Sequence, residues 1–233
     1  MSNPLEIRHI DGSNSLENYQ DLLDQSIKLY IDIFRDPPYN EDFNYHDVMN
    51  EFTNYIVSGC FLLAIIDFEV VGFMCSSVGM DHVNDEIEAD IIKAGINIET
   101  DIYISELGVS KNHRGKKISK KLINKFMTIY PYQNMFLRTG VNNNDHVINL
   151  YKKYNFEVTD IREFVTNKRA NGQEEVDERL YMFKKQCVSE EKQDDGYKSG
   201  AEEFYGTSCH YDNDDNNHND TSENYKSGSE YLY

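Results

Sequence analysis

Apolar positions follow two spacings over the first 187 residues of the chain and lose any spacing after them. Leu5 to Ile10 alternates apolar and polar residues and predicts a first strand. Leu16, Tyr19, Leu23, Ile27, Tyr30 and Phe34 then fall at helical spacing, with Ser13 or Ser15 as cap and Pro37-Pro38 as stop. Val48, Phe52 and Ile56 mark a second helix that stops at Gly59. Cys60–Ile66 and Val70–Val78 are continuous apolar runs around Asp67-Phe68-Glu69, which predicts a hairpin of buried strands. Gly72 inside the second run predicts a bulge or a close backbone approach. Residues 81–101 form an acidic insertion in which Ile87, Ile91 and Ile92 hint at a short helix. Asp101–Val109 predicts a central strand, Gly115–Tyr130 a helix ended by Pro131, and Met135–Val141 a further strand. A turn at Asn142-Asn143-Asn144-Asp145 leads to a short helix bearing Val147, Leu150, Tyr151 and Tyr154. Val158–Val165 and Glu178–Lys184 close the pattern as two antiparallel strands about Asn171-Gly172.

Composition divides the chain at one point. After Cys187 it narrows to Asp, Asn, Glu, Ser, Gly and Tyr, which predicts a disordered acidic tail over 188–233 behind a domain of residues 1–187. Tyr197–Tyr205 (YKSGAEEFY) recurs as Tyr225–Tyr233 (YKSGSEYLY), a low-complexity expansion or a repeated partner peptide. The net charge of -18 argues against nucleic acid as a partner, because such binding needs a basic footprint. The longest apolar run, Cys60–Ile66, is too short to span a bilayer, and MSNPLEIRHI has no signal-peptide core. These features predict a soluble, cytoplasmic protein with no membrane contact. Cys60, Cys75, Cys187 and Cys209 have no metal-ligand spacing, so no metal is expected, and Cys60 and Cys75 predict buried thiols.

One stretch breaks with the acidic whole. Ser105–Phe126 reads SELGVSKNHRGKKISKKLINKF, and no Asp or Glu occurs from Leu107 through Asn144. Seven lysines and arginines lie between Lys111 and Lys125. A strand, a basic loop and a helix N-terminus in that order suit an anion, since the first amides of a helix are unbonded and sit at its positive end. A solvated lysine face is the alternative.

SELGVSKNHRGKKISKKL also resembles the acetyl-CoA-binding segment of the GCN5-related N-acetyltransferase (GNAT) superfamily. The family's loop pattern, [QR]-x-x-G-x-[GA], falls on Arg114, Gly115, Lys116, Lys117, Ile118 and Ser119. Lys117 stands where the family has Gly, and Ser119 where it has Gly or Ala. NNNDHVINLYKKYNFE resembles a second family segment, N-x-x-A-x-x-L-Y-x-x-x-G-F, with Asn155 in place of Gly. Asn is the next-best residue at a left-handed helix terminus.

The resemblance, over about residues 5–185, implies an α/β (α+β) fold. Its sheet is mixed and mostly antiparallel, of about seven strands splayed at the fourth and flanked by about four helices. It implies acetyl-CoA as co-substrate, held by the backbone of Leu107, Gly108 and Val109, by the amides of 114–119, and by Asn144. It makes Glu106 the candidate general base, acting through water, and Tyr151 the candidate general acid for the leaving thiolate. The acceptor implied is a small-molecule or protein amine, with Tyr39 as a candidate wall of its site or a packing residue of the helix junction. Lys117 is expected to offer its amide from a helical backbone, and Ser119 to fit without distortion. The departures at Lys117 and Ser119 leave a second reading open, a non-catalytic GNAT-fold module whose tail recruits partners.

Overall fold

Seven strands make one mixed sheet in the order β1-β2-β3-β4-β5-β7-β6 in the computed structural model of the protein, which describes residues 3–12, 16–37, 39–80, 83–141 and 145–186. The strands are β1 (Glu6–Ile10), β2 (Gly59–Ile66), β3 (Glu69–Val78), β4 (Ile102–Val109), β5 (Met135–Gly140), β6 (Glu157–Lys168) and β7 (Glu174–Lys184). Neighbours run antiparallel except β4 and β5, which are parallel. Five α-helices stand among the described residues: α1 (Gln20–Arg35), α2 (Tyr45–Ser58), α3 (Asp85–Lys93), α4 (Ile118–Ile129) and α5 (Asp145–Lys152).

The two apolar runs are buried on both faces because helices cover both. Phe61, Leu63, Ile65, Phe73 and Cys75 pack beneath α1 and α2 with Ile27, Tyr30 and Phe52. The alternate residues Leu62, Ala64, Val71 and Met74 pack on the other face with Ile118, Leu122 and Phe126 of α4 and Val147 and Tyr151 of α5. That two-sided burial is why β2 and β3 read as continuous runs instead of alternating ones. Cys60 and Cys75 are buried free thiols within them.

Close approaches fix the two glycines that matter. A Cβ on Gly72 would sit 3.0 Å from the Gly108 carbonyl oxygen, and the β2–β3 register slips beside it, so bulge and close approach coincide. A Cβ on Gly108 would lie 2.5 Å from Phe73 Cζ. Asn155 has φ 64, the left-handed terminus expected of it.

Several boundaries differ from expectation. A 3-10 turn, Leu16–Tyr19, precedes α1, which therefore begins at Gln20. The helix expected from Gly115 begins at Ile118, because Gly115 (φ 76) and Lys117 (φ 60) are both left-handed. Strands β6 and β7 extend beyond the expected ends to Lys168 and Glu174. Their distal halves are largely polar, and Phe164 and Val176 are exposed there, so no buried apolar face marks them. The insertion does form a helix, α3, and Ile87 and Ile91 bury it against Phe136, Ile161 and Tyr181. Asp85, Glu86, Glu88 and Asp90 are exposed on it, a solvated face.

Ser13, Ser15, Pro38, Asp81, Asn142, Asn143, Asn144, Cys187, Cys209 and the tail after Cys187 lie outside the described residues. Among the described residues, no helix is long and apolar enough to cross a membrane.

Candidate active site

Two irregularities in β4 open the sheet. It pairs with β5 only at Ile102–Ile104, while β5 continues to Gly140 alongside β7. The β3–β4 register slips between Cys75↔Glu106 and Ser76↔Ile104, so Ser105 is an extra residue. A bulge bends its strand and re-aims the side chains beside it. Beyond Ile104 the two parallel strands part, and a cleft of about 340 Å³ lies between them. Glu106 and Leu107 of β4 form one wall, with Tyr30 and Phe34 of α1 and Glu51 and Tyr55 of α2 beside them. Leu137–Gly140 of β5 and Val147 and Tyr151 of α5 form the opposite wall.

Glu106 is half-buried among these groups. Burial pushes its carboxyl up to about 8, the Glu51 charge adds to the rise, and the Arg138 charge opposes it. The Tyr30 hydroxyl donates to Glu106 Oε1 at 3.4 Å, the one hydrogen bond the carboxylate accepts among the described residues. Tyr151 is buried beside the same space, and burial together with the Glu106 charge drives its phenol above the ordinary value. It therefore keeps its proton at neutral pH. Its ring meets Phe156 edge-on at 5.3 Å, which fixes its direction from α5. A carboxyl raised by burial and a phenol that stays protonated thus border one space, a pair whose chemistry suits proton transfer.

The loop between α1 and α2 closes one end. Asn44 caps α2 by accepting from the His46 amide, and Tyr39 packs on Phe34 with ring centroids 4.7 Å apart. Tyr39 is both a packing residue and a wall of the cleft. The loop is latched to the β6–β7 hairpin by Arg169, a buried cation. Its guanidinium donates to the Tyr39 carbonyl at 2.7 Å and meets Asp177 at 2.7 Å, Glu175 at 3.0 Å and Glu41 at 3.4 Å. Arg179 adds contacts to Glu41 at 3.7 Å and Asp177 at 3.6 Å. On the far wall Arg138 pairs with the buried Glu163 at 2.9 Å, and the Tyr181 hydroxyl donates to the same carboxylate.

At the end of β4 the chain turns through a 3-10 segment, Lys111–His113, into the basic loop. Arg114 is extended, and its Nε reaches the Val109 carbonyl at 3.4 Å. Left-handed Gly115 and Lys117 then coil the backbone ahead of α4, whose first turn holds no acidic residue. The first amide to bond back into the helix is that of Lys121, to the Lys117 carbonyl. The amides of Ile118, Ser119 and Lys120 thus stand at the open end of the helix, the geometry that takes a phosphate. Lys116 and Lys117 are exposed there, and Ser119 is buried in the first turn. The residues present therefore suit a pyrophosphate.

The position of Lys117 corrects the expectation of a helical backbone there. It holds φ 60 and ψ 23, a conformation that suits Gly and is strained for a side chain bearing a Cβ. Glu106, Leu107 and Tyr151 come together in the cleft, whereas residues 114–119 lie outside its lining. Tyr30, Glu51, Tyr55, Arg138 and Arg179 line the cleft without having been singled out from the sequence. Tyr30 counted there only as part of an apolar helical face, and the others carry no local signal. Among the described residues no group of His, Cys, Asp and Glu is arranged to hold a metal.

The sequence model of the acetyltransferase (GNAT) family matches residues 21–156 of the chain. No curated protein matches at a significant level. Solved structures share the fold. NAA60 of Arabidopsis thaliana in complex with acetyl-CoA superposes with a TM-score of 0.52 at 19% identity, covering 78% of this chain and 98% of that one. An N-acetyltransferase from Staphylococcus aureus Mu50 gives 0.53 at 13% identity over 78% and 99% of the two chains. PH1933 from Pyrococcus horikoshii OT3 gives 0.52 at 17% identity over 79% and 100%.

Proposed function

From the premise that the chain belongs to the GNAT acetyltransferase family, whose model spans residues 21–156, we propose that it is an acetyl-CoA-dependent N-acetyltransferase. It moves the acetyl group to a primary amine by direct attack while both substrates are bound. The observation that carries this reading is the meeting of Glu106 and Tyr151 in the cleft where β4 leaves β5.

An ammonium acceptor must first lose a proton, and Glu106 in its ionised form takes it through water. The neutral nitrogen then attacks the thioester carbonyl carbon. The C–N bond forms as the C–S bond breaks, and the Tyr151 phenol supplies the proton that the departing thiolate requires. Tyr151 recovers a proton from the newly acylated nitrogen, so the products are an amide and a free thiol. The unpaired edge of β4 at Leu107, Gly108 and Val109 offers backbone groups to the pantetheine arm and an N–H to the developing oxyanion. Arg114, Gly115, Lys116, Lys117, Ile118 and Ser119 hold the pyrophosphate, with Asn144 as a partner for the arm on the strength of its motif. Holding both substrates in the parted sheet replaces a bimolecular encounter by an oriented one.

Thioester consumption measured against a panel of primary amines tests this reading. Turnover is expected with at least one cationic amine. The absence of turnover with every amine, in protein that binds acetyl-CoA, would remove it.

A further inference from the structure

Charges around the cleft are unevenly matched. Each cation in its walls already has a carboxylate. Arg138 is held by Glu163 at 2.9 Å, and Arg179 by Asp177 and Glu41 at 3.6 and 3.7 Å. Glu41 also takes Arg169. Two carboxylates of the lining form no ion pair among the described residues. Glu106 accepts only from Tyr30, and no hydrogen-bond or ion-pair partner of Glu51 stands among the described residues. Glu51 projects from α2 into the same cleft, on the solvent side, and its charge bears on Glu106. Around the two carboxylates stand Tyr30, Phe34, Tyr39 and Tyr55, rings that suit an alkyl chain and a cation over a ring face.

We propose that the acceptor is an alkyl amine carrying a second cationic group, with the reacting nitrogen at Glu106 and the second cation at Glu51. This rests on the acetyltransferase reading given above. A monoamine satisfies one carboxylate and leaves Glu51 facing Glu106 as a like charge. A diamine satisfies both, and the cation at Glu51 removes the opposition to ionisation of the base. The aromatic walls hold the methylenes between the two nitrogens.

The test compares α,ω-diamines of three to six carbons with the matching monoalkylamines, on wild-type protein and Glu51→Gln. Two readouts are taken: thioester consumption, and the thermal shift each amine produces without acetyl-CoA. In the wild type, kcat/KM for the best diamine is expected to exceed that of its monoamine by about 30-fold, the range of one charge-assisted hydrogen bond. The diamine-to-monoamine ratio is expected to fall at least about tenfold in Glu51→Gln, through KM. Taking both rates above pH 8, where Glu106 is ionised with either amine, keeps the effect of the substitution on the base out of the ratio. A ratio near one in the wild type, or one unmoved by Glu51→Gln, overturns the proposal while leaving N-acetyl transfer intact. If no amine is acetylated, the thermal shift separates the two claims. Glu51-dependent stabilisation by diamines alone keeps the dication site and removes the transfer reading, and equal shifts by both amine types remove the dication site.

Discussion

Glu106 carries the main trade-off at the residue scale. Its carboxyl is lifted to about 8 by burial and by Glu51, so the folded protein holds the proton more tightly than the unfolded chain does. Stability from this group is fully present below the unfolded value near 4.3 and is lost as pH rises through about 8. The base form grows only as the folded carboxyl ionises about pH 8, so activity is expected to rise as the loss of stability levels off. Glu106→Gln should therefore melt higher than the wild type at pH 8, by on the order of 3 kcal/mol more than at pH 5. It should also lose about a hundredfold or more in kcat/KM, together with the rising limb of the pH–rate profile. Equal melting shifts at both pH values would show that Glu106 ionises freely. Tyr151→Phe removes one hydroxyl from a packed ring, so turnover is expected to drop at least about tenfold with stability changed by less than about 1 kcal/mol. A loss of stability matching the loss of activity would make Tyr151 a core residue only. Lys117 adds a third residue-scale effect. Its left-handed backbone costs roughly 1–2 kcal/mol that Gly does not incur, so Lys117→Gly should raise the melting temperature, which a thermal scan checks.

At the scale of elements, legibility followed burial. Strands β2 and β3 and helix α4 were visible because their apolar faces are continuous: Phe61 to Ile65, Val71 to Cys75, and Ile118, Leu122 and Phe126 all meet the core. The far half of the β6–β7 hairpin was not visible. It holds to the loop after α1 through ions, and Arg169, Glu175, Asp177 and Glu41 give no periodic signal along the chain. The left-handed start of α4 was likewise hidden, because Lys at position 117 does not announce a positive φ. The hairpin and loop meet at one buried cation, and breaking a buried ion cluster by removing one partner leaves uncompensated charge. Arg169→Ala is expected to destabilise by about 3 kcal/mol, a melting drop of about 10 °C for a domain of this size. The acceptor KM should rise because the loop bearing Tyr39 and Glu41 is freed, while acetyl-CoA affinity stays within about twofold, since 114–119 lie outside the cleft lining. A variant that weakens acetyl-CoA binding equally would show that latch and loop are not separate.

On the scale of the whole molecule, the cleft gathers residues that are remote in sequence. Tyr30, Glu51, Glu106, Arg138, Tyr151 and Arg179 come from α1, α2, β4, β5, α5 and β7. Glu106 and Tyr151 were legible because each sits in a recognisable segment, whereas their neighbours are defined only by where the sheet parts. The charge distribution, by contrast, was legible at once: a chain of net charge -18 with one stretch, Leu107–Asn144, free of acid. Acetyl-CoA is itself anionic, so the global and the local fields act on it in opposite senses. At physiological salt the screening length is about 8 Å, so the lysines around the α4 N-terminus dominate for a phosphate seated there and the distant acids do not. Added salt weakens that near attraction. Acetyl-CoA affinity is therefore expected to fall as salt rises from about 0.05 to 0.5 M, and calorimetric titration across that range measures the slope. Replacing Lys116, Lys120 and Lys121 by Ala should flatten the slope and weaken binding most at low salt, since these side chains are exposed and act through charge alone. An affinity that rises with salt in the wild type would mean that the global negative field outweighs the local one and that the phosphates do not seat on this helix.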